Sequence, residues 1–520
     1  MLFNSYTFIF IFLPATLLGF HLIGNKGHKK LALVWLVSAS LFFYGWWNPA
    51  YLSLLLFSTI FNYSTGIFLG GNSGKSSTKK IVLMLGIIVN LSMIGYFKYA
   101  NFFIDNLNTF TSNNIILYEI ILPLGISFFT FQQISYLVDA YYKDTKEYSF
   151  INYCLFVTFF PQLIAGPIVH HKEMLPQFIK DSVYKICSKN LAIGATIFAL
   201  GLFKKVVLAD GVSAYAIPIF DAAEAGIVIT FFEAWVGALA YTFQLYFDFS
   251  GYSDMAIGIA RMFGILLPLN FNSPYKATNI SDFWRRWHIT LSRFLRNYIY
   301  IPLGGNRKGE FRTYTNLMAT FVICGLWHGA GWNFIIFGFM HGFYLVVFNL
   351  WTNFKFKFSS SKIITNSIIS SLFGWLITFI CVVFAWVLFR SESSSGAINL
   401  LQSMVGVNGI GLPVILENIF LNYDLFTFSG MFSNGFYSNN LFAIFWIFSL
   451  LLITVLLPNT QQIMRNHKPA FETHDEEIIS SNYKYLEWEK TIYWAFFISI
   501  IMAISILSLS GESEFLYFQF

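Results

Sequence analysis

The sequence has 520 residues, of which 56% are hydrophobic, 20% are aromatic and only 11% are charged. A soluble chain of this length would carry about 25% charged residues and would divide into about two to four domains. The 32 lysines and arginines and the 26 acidic residues are too few to solvate a globular surface. Apolar runs long enough to cross a bilayer recur along the whole chain. These features exclude a soluble enzyme, a nucleic-acid-binding protein and a disordered scaffold, and they predict an all-α polytopic membrane protein.

The first five apolar runs are separated by loops that alternate in charge. The runs lie at about 7–24, 31–47, 50–70, 81–100 and 119–140. Lysines follow the first, third and fifth runs, whereas residues 101–118, after the fourth run, include no lysine or arginine. By the positive-inside rule, the lysine-bearing loops face the cytoplasm and the amino terminus faces outward. The first run lacks the basic region and the cleavage site of a signal peptide, so we expect it to be retained as a span.

The pattern is less regular beyond residue 150. The apolar stretch 150–169 contains Pro161 and Pro167, which predicts a re-entrant segment rather than a full crossing. Further spans are predicted at about 191–217, 230–247, 315–332, 334–350, 366–389, 441–457 and 491–509. Residues 391–440 include acids but no lysine or arginine and should face outward, whereas the mixed-charge loop 459–490 should face inward. About twelve crossings satisfy these constraints and place both termini outside the cytoplasm.

The four cysteines are widely spaced and lie mostly in apolar runs. They are Cys154, Cys187, Cys324 and Cys381. No CxxC spacing occurs among them, so the sequence predicts neither a zinc site nor a disulfide framework.

Polar side chains appear abruptly in the apolar segment that begins near residue 241. They are Gln244, Asp248 and Asp254. Ionisable groups at membrane depth are costly, and by default they mark a functional pathway. The alternative is that Asp248 caps a helix or pairs with a nearby arginine and so holds the helices together.

Helical spacing in the segment 281–296 predicts one amphipathic helix, with Ser281 or Asp282 as the candidate N-cap. Its apolar face would carry Trp284, Trp287 or His288, Leu291 and Leu295, and its other face Arg286, Arg293 and Arg296. A basic helix with aromatic anchors commonly lies in the membrane interface, which accounts for most of the arginines. It does not account for His288, a titratable ring on the buried face, for which the alternative is a histidine satisfied by its neighbours in the core.

The segment 301–309 combines a glycine turn with the adjacent basic residues Arg307 and Lys308. Glycines let backbone amides approach an anion, and the basic pair would then hold it. The alternative is an ordinary cytoplasmic loop of the positive-inside type.

The segment 324–333 places His328 among small residues within an apolar span, directly after Trp327 and shortly before Asn333. An imidazole is costly there unless it is hydrogen-bonded, and a neutral imidazole is the usual general base near pH 7. His341 lies about four helical turns further along, too far to share one helical site, so we expect it to pack or to support the site.

These motifs together resemble the membrane-bound O-acyltransferase superfamily. The resemblance rests first on Trp327-His328-Gly329 in a late span and on the segment 284–296 with His288. Four more motifs resemble one branch, the bacterial alginate O-acetylation membrane proteins: PLGISFFTFQ at 123–132, FPQLIAGPI at 160–168, GLFKK at 201–205 and IPLGGN at 301–306. The resemblance extends from the first span to about residue 350 and is looser to the end.

The resemblance implies a single membrane-embedded domain, in which a ring of about 11 to 13 helices surrounds a funnel or tunnel. Residues 1–147 would supply the N-terminal spans, 148–350 the catalytic core and 351–520 the C-terminal spans with the outward-facing loop 391–440. Within the core, His328 corresponds to the family's essential histidine and His288 to its earlier histidine.

The reaction implied by the resemblance is transfer of an acetyl group from a cytoplasmic thioester, acetyl-CoA, toward hydroxyls of an exported polysaccharide such as alginate, cellulose or peptidoglycan. His328 is expected to be the general base, and His288 to orient or stabilise, or to act as the base in one of two steps. Arg285, Arg286, Arg307 and Lys308 are expected to bind the phosphates of the donor. Asp248, Asp254, Gln244, Trp327 and Asn333 are expected to support the site.

The resemblance also implies a partner and a location. A serine-esterase-like protein outside the cytoplasm would receive the acetyl group and place it on the polysaccharide. The chain would lie among lipids of the bacterial cytoplasmic (inner) membrane, with no permanently bound cofactor or metal and no nucleic-acid partner. Two alternatives remain: the same fold could transfer D-alanyl or lipid acyl groups, or the chain could be a transporter whose histidines gate the path or relay protons.

Overall fold

The computed structural model describes residues 1–72, 74–111, 115–116, 120–144, 149–358, 368–412, 426–427, 440–471, 486–509 and 516. Helices dominate these ranges. Two short parallel strands, β1 Ile410–Gly411 and β2 Phe426–Thr427, pair with each other. The predicted all-α class is therefore confirmed.

The helices follow one another along the chain with short connections. They are α1 Leu13–Asn25, α2 Lys29–Gly45, α3 Ala50–Gly70, α4 Ser76–Ile94, α5 Ala100–Thr111, α6 Ile126–Tyr141, α7 Phe150–Thr158, α8 Phe160–Leu163, α9 His171–Phe178, α10 Ser188–Phe203, α11 Asp210–Glu224, α12 Phe231–Met262, α13 Ile280–Arg286, α14 Ile289–Leu295, α15 Glu310–His328, α16 Trp332–Phe358, α17 Ile368–Arg390, α18 Ser394–Met404, α19 Asn440–Leu456, α20 Thr460–Ile463 and α21 Ile492–Leu507. Turns of π-helix occur at Phe8–Phe12, Gly95–Tyr99, Lys204–Ala209 and Arg296–Tyr300.

Six helical stretches among the described residues are long and apolar enough to cross a membrane. They are Phe8–Asn25, Ala50–Gly70, Ser76–Thr111, Ser188–Glu224, Trp332–Lys355 and Ile368–Arg390. In Ser76–Thr111 only 22% of the apolar window is buried inside the protein, so most of its surface is available to lipid. The chain is thus a multi-pass membrane protein, while the total of about twelve crossings and the outward termini stay predictions.

The stretch 150–169 is interrupted, but not where its prolines predict. α7 ends at Thr158, Phe159 leaves the helical conformation (φ −51°, ψ 108°) and α8 begins at the next residue. Pro161 lies in the first turn of α8, where its missing N–H sacrifices no helical hydrogen bond. Residues 153–171 are all buried, as irregular backbone at membrane depth requires.

One predicted span begins later than its hydropathy indicates. The run at about 119–140 becomes helical only at Ile126, where α6 starts. Gly125 precedes it in the left-handed conformation (φ 69°), which glycine adopts without steric cost. Apolar composition marks the run, but the backbone of Gly125 sets where the helix begins.

The chain forms two compact units, and the first comprises Met1–Phe203, Ser250–Asn270 and Thr460–Phe518. In this unit α10 lies close to the last part of α12. A Cβ added to Gly194 would be 2.5 Å from the Gly258 carbonyl oxygen, and one added to Gly201 would be 2.6 Å from that of Gly251. Only glycine permits so close an approach, so the glycine of the GLFKK motif serves helix packing.

The second unit is built from Lys204–Phe249 and Phe271–Asn459, so the boundary between the units falls within α12. In this unit α15 and α16 form a tight hairpin. A Cβ added to Gly325 would overlap the Phe334 carbonyl oxygen, and one added to Gly338 would overlap that of Phe321. This close packing fixes the end of α15, which carries His328. The predicted single domain is not tested and stays a prediction.

Candidate active site

The segment 281–296 forms two short helices, and the prediction of one continuous helix is wrong. α13 ends at Arg286, α14 begins at Ile289, and His288 between them has left-handed backbone angles (φ 41°, ψ 56°). The predicted N-cap is also corrected, because the Asn279 side chain accepts a hydrogen bond from the Asp282 N–H at 2.8 Å. The apolar side chains remain buried on both sides of the break, so their spacing along the sequence does not reveal it.

His288 is completely buried in an aromatic environment. Its ring lies edge-on to Phe249 with the ring centres 4.9 Å apart, and the ring centres of Phe271 and Trp327 lie 6.4 and 6.1 Å away. Left-handed backbone at a residue other than glycine costs about 1–3 kcal/mol and persists only where the surroundings enforce it. Here the enclosing aromatic rings supply that constraint and hold the imidazole in place.

His328 is the last residue of α15 and is also buried. Its ring centre lies 4.8 Å from that of Trp327, 5.1 Å from that of Phe389 and 5.9 Å from that of Phe337. The indole of Trp327 therefore contacts both candidate catalytic histidines. Residues predicted from two motifs about forty positions apart in the chain are brought to one side chain, within one unit.

Asp248 forms a buried ion pair, but its partner is a lysine and not the arginine that the sequence predicts. Lys205 Nζ lies 2.6 Å from Asp248 Oδ1 and 2.9 Å from Asp210 Oδ1. The Lys205 and Asp248 side chains are 3% and 2% exposed. The sequence analysis missed Lys205, although a lysine inside a predicted span is itself a signal. Asp248 directly precedes Phe249, whose ring contacts His288.

The other supporting residues predicted from the sequence have separate attachments. Asp254 belongs to the first unit, where Oδ2 accepts a hydrogen bond from Thr460 Oγ1 at 2.6 Å and Oδ1 accepts one from Gln461 Nε2 at 3.3 Å. Gln244 is buried on α12, one helical turn before Asp248. Asp254 thus ties α12 to a short helix of its own unit, and Gln244 shares the Asp248 side of α12.

Asn333 fastens the first turn of α16 to the segment between α17 and α18. Its Nδ2 donates to the Ser391 carbonyl oxygen at 2.9 Å, and its Oδ1 accepts from Ser394 Oγ at 2.9 Å. Both ends of the amide are engaged, so Asn333 supports the α15–α16 hairpin from outside the aromatic environment of the histidines.

The four predicted donor-binding residues differ in their surroundings. Arg286 is held in place, because its Nε donates to Asp282 Oδ2 at 3.0 Å and its Nη1 donates to the Asn272 carbonyl oxygen at 3.3 Å. Arg285, Arg307 and Lys308 are exposed. These three cations are therefore accessible to an anionic ligand, whereas Arg286 fixes α13.

The loop that carries Arg307 and Lys308 has the backbone expected of a glycine turn. Gly304 and Gly305 have φ values of 115° and 56°, which glycine adopts readily. The Asn316 side chain, on α15, donates to the Gly305 carbonyl oxygen at 2.9 Å. The loop is thus anchored to the helix that ends at His328.

The arrangement suits proton transfer in a water-poor environment. Two imidazoles, each able to accept or donate a proton, lie among aromatic rings that exclude water. No cluster of three or more histidine, cysteine, aspartate or glutamate side chains that could hold a metal occurs among the described residues. The chemistry available to the described side chains is general acid–base catalysis.

Comparison with known proteins identifies the family of the chain. Residues 82–389, which include both histidines, match the model of MBOAT, the membrane-bound O-acyltransferase family. The chain belongs to the membrane-bound O-acyltransferase family. The protein is therefore an O-acyltransferase, as the motifs predict.

Several characterised relatives are similar over most of their length. A peptidoglycan O-acetyltransferase of Helicobacter pylori is 47% identical over 440 residues, which cover 79% of this chain and 81% of the relative. A probable alginate O-acetylase of Pseudomonas aeruginosa is 42% identical over 409 residues, covering 78% of this chain and 75% of the relative. A teichoic acid D-alanyltransferase of Streptococcus thermophilus is 29% identical over 236 residues, covering 44% of this chain and 57% of the relative. The predicted resemblance to the alginate O-acetylation branch is confirmed.

The left-handed backbone of His288 predicts an unusual order of stability among variants at this position. His288→Gly should unfold at a higher temperature than His288→Ala, because an alanine there carries a penalty of roughly 1 kcal/mol that glycine avoids. The measurement is the midpoint of thermal unfolding of the purified protein in detergent. Ser292, inside α14, is the control position, where the glycine variant should be the less stable one. The same order at both positions would contradict the left-handed assignment.

The buried ion pair predicts a large loss of stability when one charge is removed. Lys205→Met should destabilise the protein by about 3–5 kcal/mol, because Asp248 is left buried without its cation, and Lys205→Met/Asp248→Leu should recover much of the loss. Thermal unfolding in detergent measures both effects. Lys29→Met is the control, since Lys29 pairs with Asp181 at the surface and its removal should change the midpoint little. A Lys205→Met variant as stable as the wild type would show that the pair is not structural.

Proposed function

We propose that this O-acyltransferase moves an acetyl group from a cytoplasmic thioester, acetyl-CoA, across the membrane toward hydroxyls of an exported polysaccharide. The observation that carries the proposal is the contact of both histidines with Trp327 inside the family-matched region. The names of the similar proteins support acetyl transfer to a polymer, because one is a peptidoglycan O-acetyltransferase and another a probable alginate O-acetylase. The acceptor is thus proposed as a hydroxyl-rich glycan of the alginate, cellulose or peptidoglycan type.

The chemistry that the reaction needs matches the groups at the site. A thioester carbonyl is already electrophilic, so the enzyme must position the acceptor, remove its hydroxyl proton and stabilise the developing oxyanion. In the proposed mechanism His328 accepts the hydroxyl proton as general base. His288, against the same indole, orients the acceptor or supplies a proton to the departing thiolate. The aromatic rings around both imidazoles limit hydrolysis of the thioester because they exclude water.

The proposed donor site uses the exposed basic residues. Arg285, Arg307 and Lys308 are accessible, and the excess of basic residues in this part of the chain supports a cytoplasmic position. Phosphate groups of acetyl-CoA are recognised by such cations through charge-assisted hydrogen bonds. Arg286 contributes indirectly in this scheme, since its bonds to Asp282 and Asn272 hold α13.

The proposal also includes a location and a partner. The protein would lie in the bacterial cytoplasmic membrane with both termini outside, as the charge of its loops predicts. A serine-esterase-like protein outside the cytoplasm would accept the acetyl group and place it on the polysaccharide. The resemblance of the motifs to the alginate O-acetylation branch supports this division of labour.

One alternative substrate has a specific observation behind it. The similarity to a teichoic acid D-alanyltransferase supports D-alanyl transfer by the same fold. The O-acetyltransferase relatives are more similar and cover more of the chain, which favours acetyl transfer. The transporter alternative is set aside because the chain is an O-acyltransferase by family.

Loss of the proposed general base should abolish the reaction. A strain whose only copy carries His328→Ala should make polymer without O-acetyl groups, although the variant reaches the membrane at normal levels. The O-acetyl content of the isolated polymer is the measurement. His21→Ala is the matched control, because His21 is a buried histidine of α1 in the first unit and its loss should leave acetylation in place. Normal acetylation in a well-expressed His328→Ala strain would refute the assignment.

Loss of the loop cations should weaken donor binding without slowing catalysis at saturation. Arg307→Ala/Lys308→Ala should raise KM for acetyl-CoA about tenfold or more, since hydrogen bonds between charged groups contribute roughly 1.5–3 kcal/mol each, while kcat stays near wild type. Release of free CoA thiol by the purified protein gives both constants.

The control for this experiment is Lys26→Ala/Lys30→Ala, which removes two exposed lysines from another loop. That variant should keep the wild-type KM. If both double variants shift KM equally, the effect reflects overall charge and the donor-site assignment is wrong.

A further inference from the structure

His341 is a completely buried imidazole on α16 whose two nitrogens have different environments. Nδ1 accepts a hydrogen bond from Trp284 Nε1 at 3.2 Å, and Nε2 has no hydrogen-bond partner among the described residues. An indole N–H can only donate, so Nδ1 must be unprotonated and the neutral ring carries its proton on Nε2. The hydrogen bond with Trp284 therefore fixes both the tautomer and the orientation of the ring.

The imidazole occupies a place where an apolar ring would pack as well. Its ring neighbours include Phe283, Phe321 and Phe337, with ring centres 6.2, 6.5 and 4.6 Å away. Burying a polar ring among such side chains costs free energy unless its hydrogen bonds compensate. The bond to Trp284 is thus the structural reason for a histidine here, since packing alone would favour phenylalanine.

On one side, His341 holds the helix that leads to His288. Trp284 lies on α13, and the left-handed break at His288 follows two residues after that helix ends. Arg286 fixes the same helix from another direction through Asp282 and Asn272. Loss of the Trp284–His341 bond would therefore loosen the element that sets the position of His288.

On the other side, His341 supports the side chain against which His328 lies. Phe337 is one helical turn earlier on α16, edge-on to His341 with the ring centres 4.6 Å apart. The same phenyl ring is edge-on to His328 with the ring centres 5.9 Å apart. His341 thus contacts one neighbour that leads to each candidate catalytic histidine.

We infer that His341 is a positioning residue for acyl transfer, which holds α13 through Trp284 and the Phe337 ring through direct contact, and so sets the relative placement of His288 and His328. This role rests on the proposed function. His341 itself does not meet the reacting groups: it acts through Trp284 and Phe337.

Two substitutions of opposite character separate this role from simple packing. His341→Asn places an amide oxygen where Nδ1 was, but removes much of the ring. His341→Phe keeps a ring of similar shape, but leaves the Trp284 N–H without an acceptor. If packing alone mattered, the phenylalanine variant would be active and the asparagine variant impaired.

The inference gives the reverse order. His341→Phe should lower kcat for acetyl transfer by about ten- to a hundredfold, the scale expected when catalytic groups are displaced by about 1 Å, with little change in KM. His341→Asn should recover most of kcat. The assay uses the purified full chain with acetyl-CoA and an alginate or peptidoglycan oligosaccharide, and follows the release of CoA thiol.

A double-mutant cycle tests the hydrogen bond separately from activity. Trp284→Phe should lower kcat as His341→Phe does, and the double variant should be no worse than either single variant, because one bond is lost in each case. The same non-additivity should appear in the thermal unfolding midpoints. Trp35→Phe is the control, since Trp35 Nε1 donates to the Thr16 carbonyl oxygen, and its effect should add to that of His341→Phe.

The two possible failures are distinguishable. An active wild type with an equally active His341→Phe variant, or with His341→Asn as the poorer variant, would overturn this inference and leave the proposed function intact. Additive effects of Trp284→Phe and His341→Phe would overturn it too. A pure wild-type protein that transfers no acetyl group, yet shows non-additive unfolding midpoints, would instead overturn the proposed function.

Discussion

The contact of two imidazoles with one indole is the constraint on which the site depends. His288 and His328 come from different helical segments, and each contacts Trp327. A displacement of either segment by a fraction of a side-chain diameter would separate a base from its substrate. The surrounding structure therefore has to hold α13, the break at His288 and the end of α15 in one fixed relation.

Three different kinds of interaction meet this requirement. Close backbone packing at Gly325 and Gly338 fixes the α15–α16 hairpin, and it requires residues without side chains. Aromatic rings enclose His288 and enforce a backbone conformation that its own chain would not favour. Buried hydrogen bonds and ion pairs, such as that of Asp248 with Lys205, add direction, because an unpaired charge at that depth is costly.

Much of this organisation can be predicted from the sequence, because the membrane imposes simple rules. Apolar run length predicts the spans, and a titratable ring in an apolar environment singles out His288 and His328. The break at His288 cannot be predicted in this way, because no glycine or proline marks it and its neighbours keep a helical spacing. The Trp284–His341 bond and the Lys205–Asp248 pair join residues 57 and 43 positions apart, which local periodicity cannot connect.

The π-helical turn Lys204–Ala209 has a consequence for how this chain can vary in length. Lys205 and Asp210 are five residues apart, and five is the repeat of a π-helix, so the turn brings both charges to one side, where Lys205 also meets Asp248. In a regular α-helix with 3.6 residues per turn, residues five apart diverge around the axis. Deleting a single residue from this turn would therefore separate the charges even if every remaining side chain were kept. At this place the number of residues matters as much as their identity, so homologous chains should differ here by substitution and not by insertion or deletion.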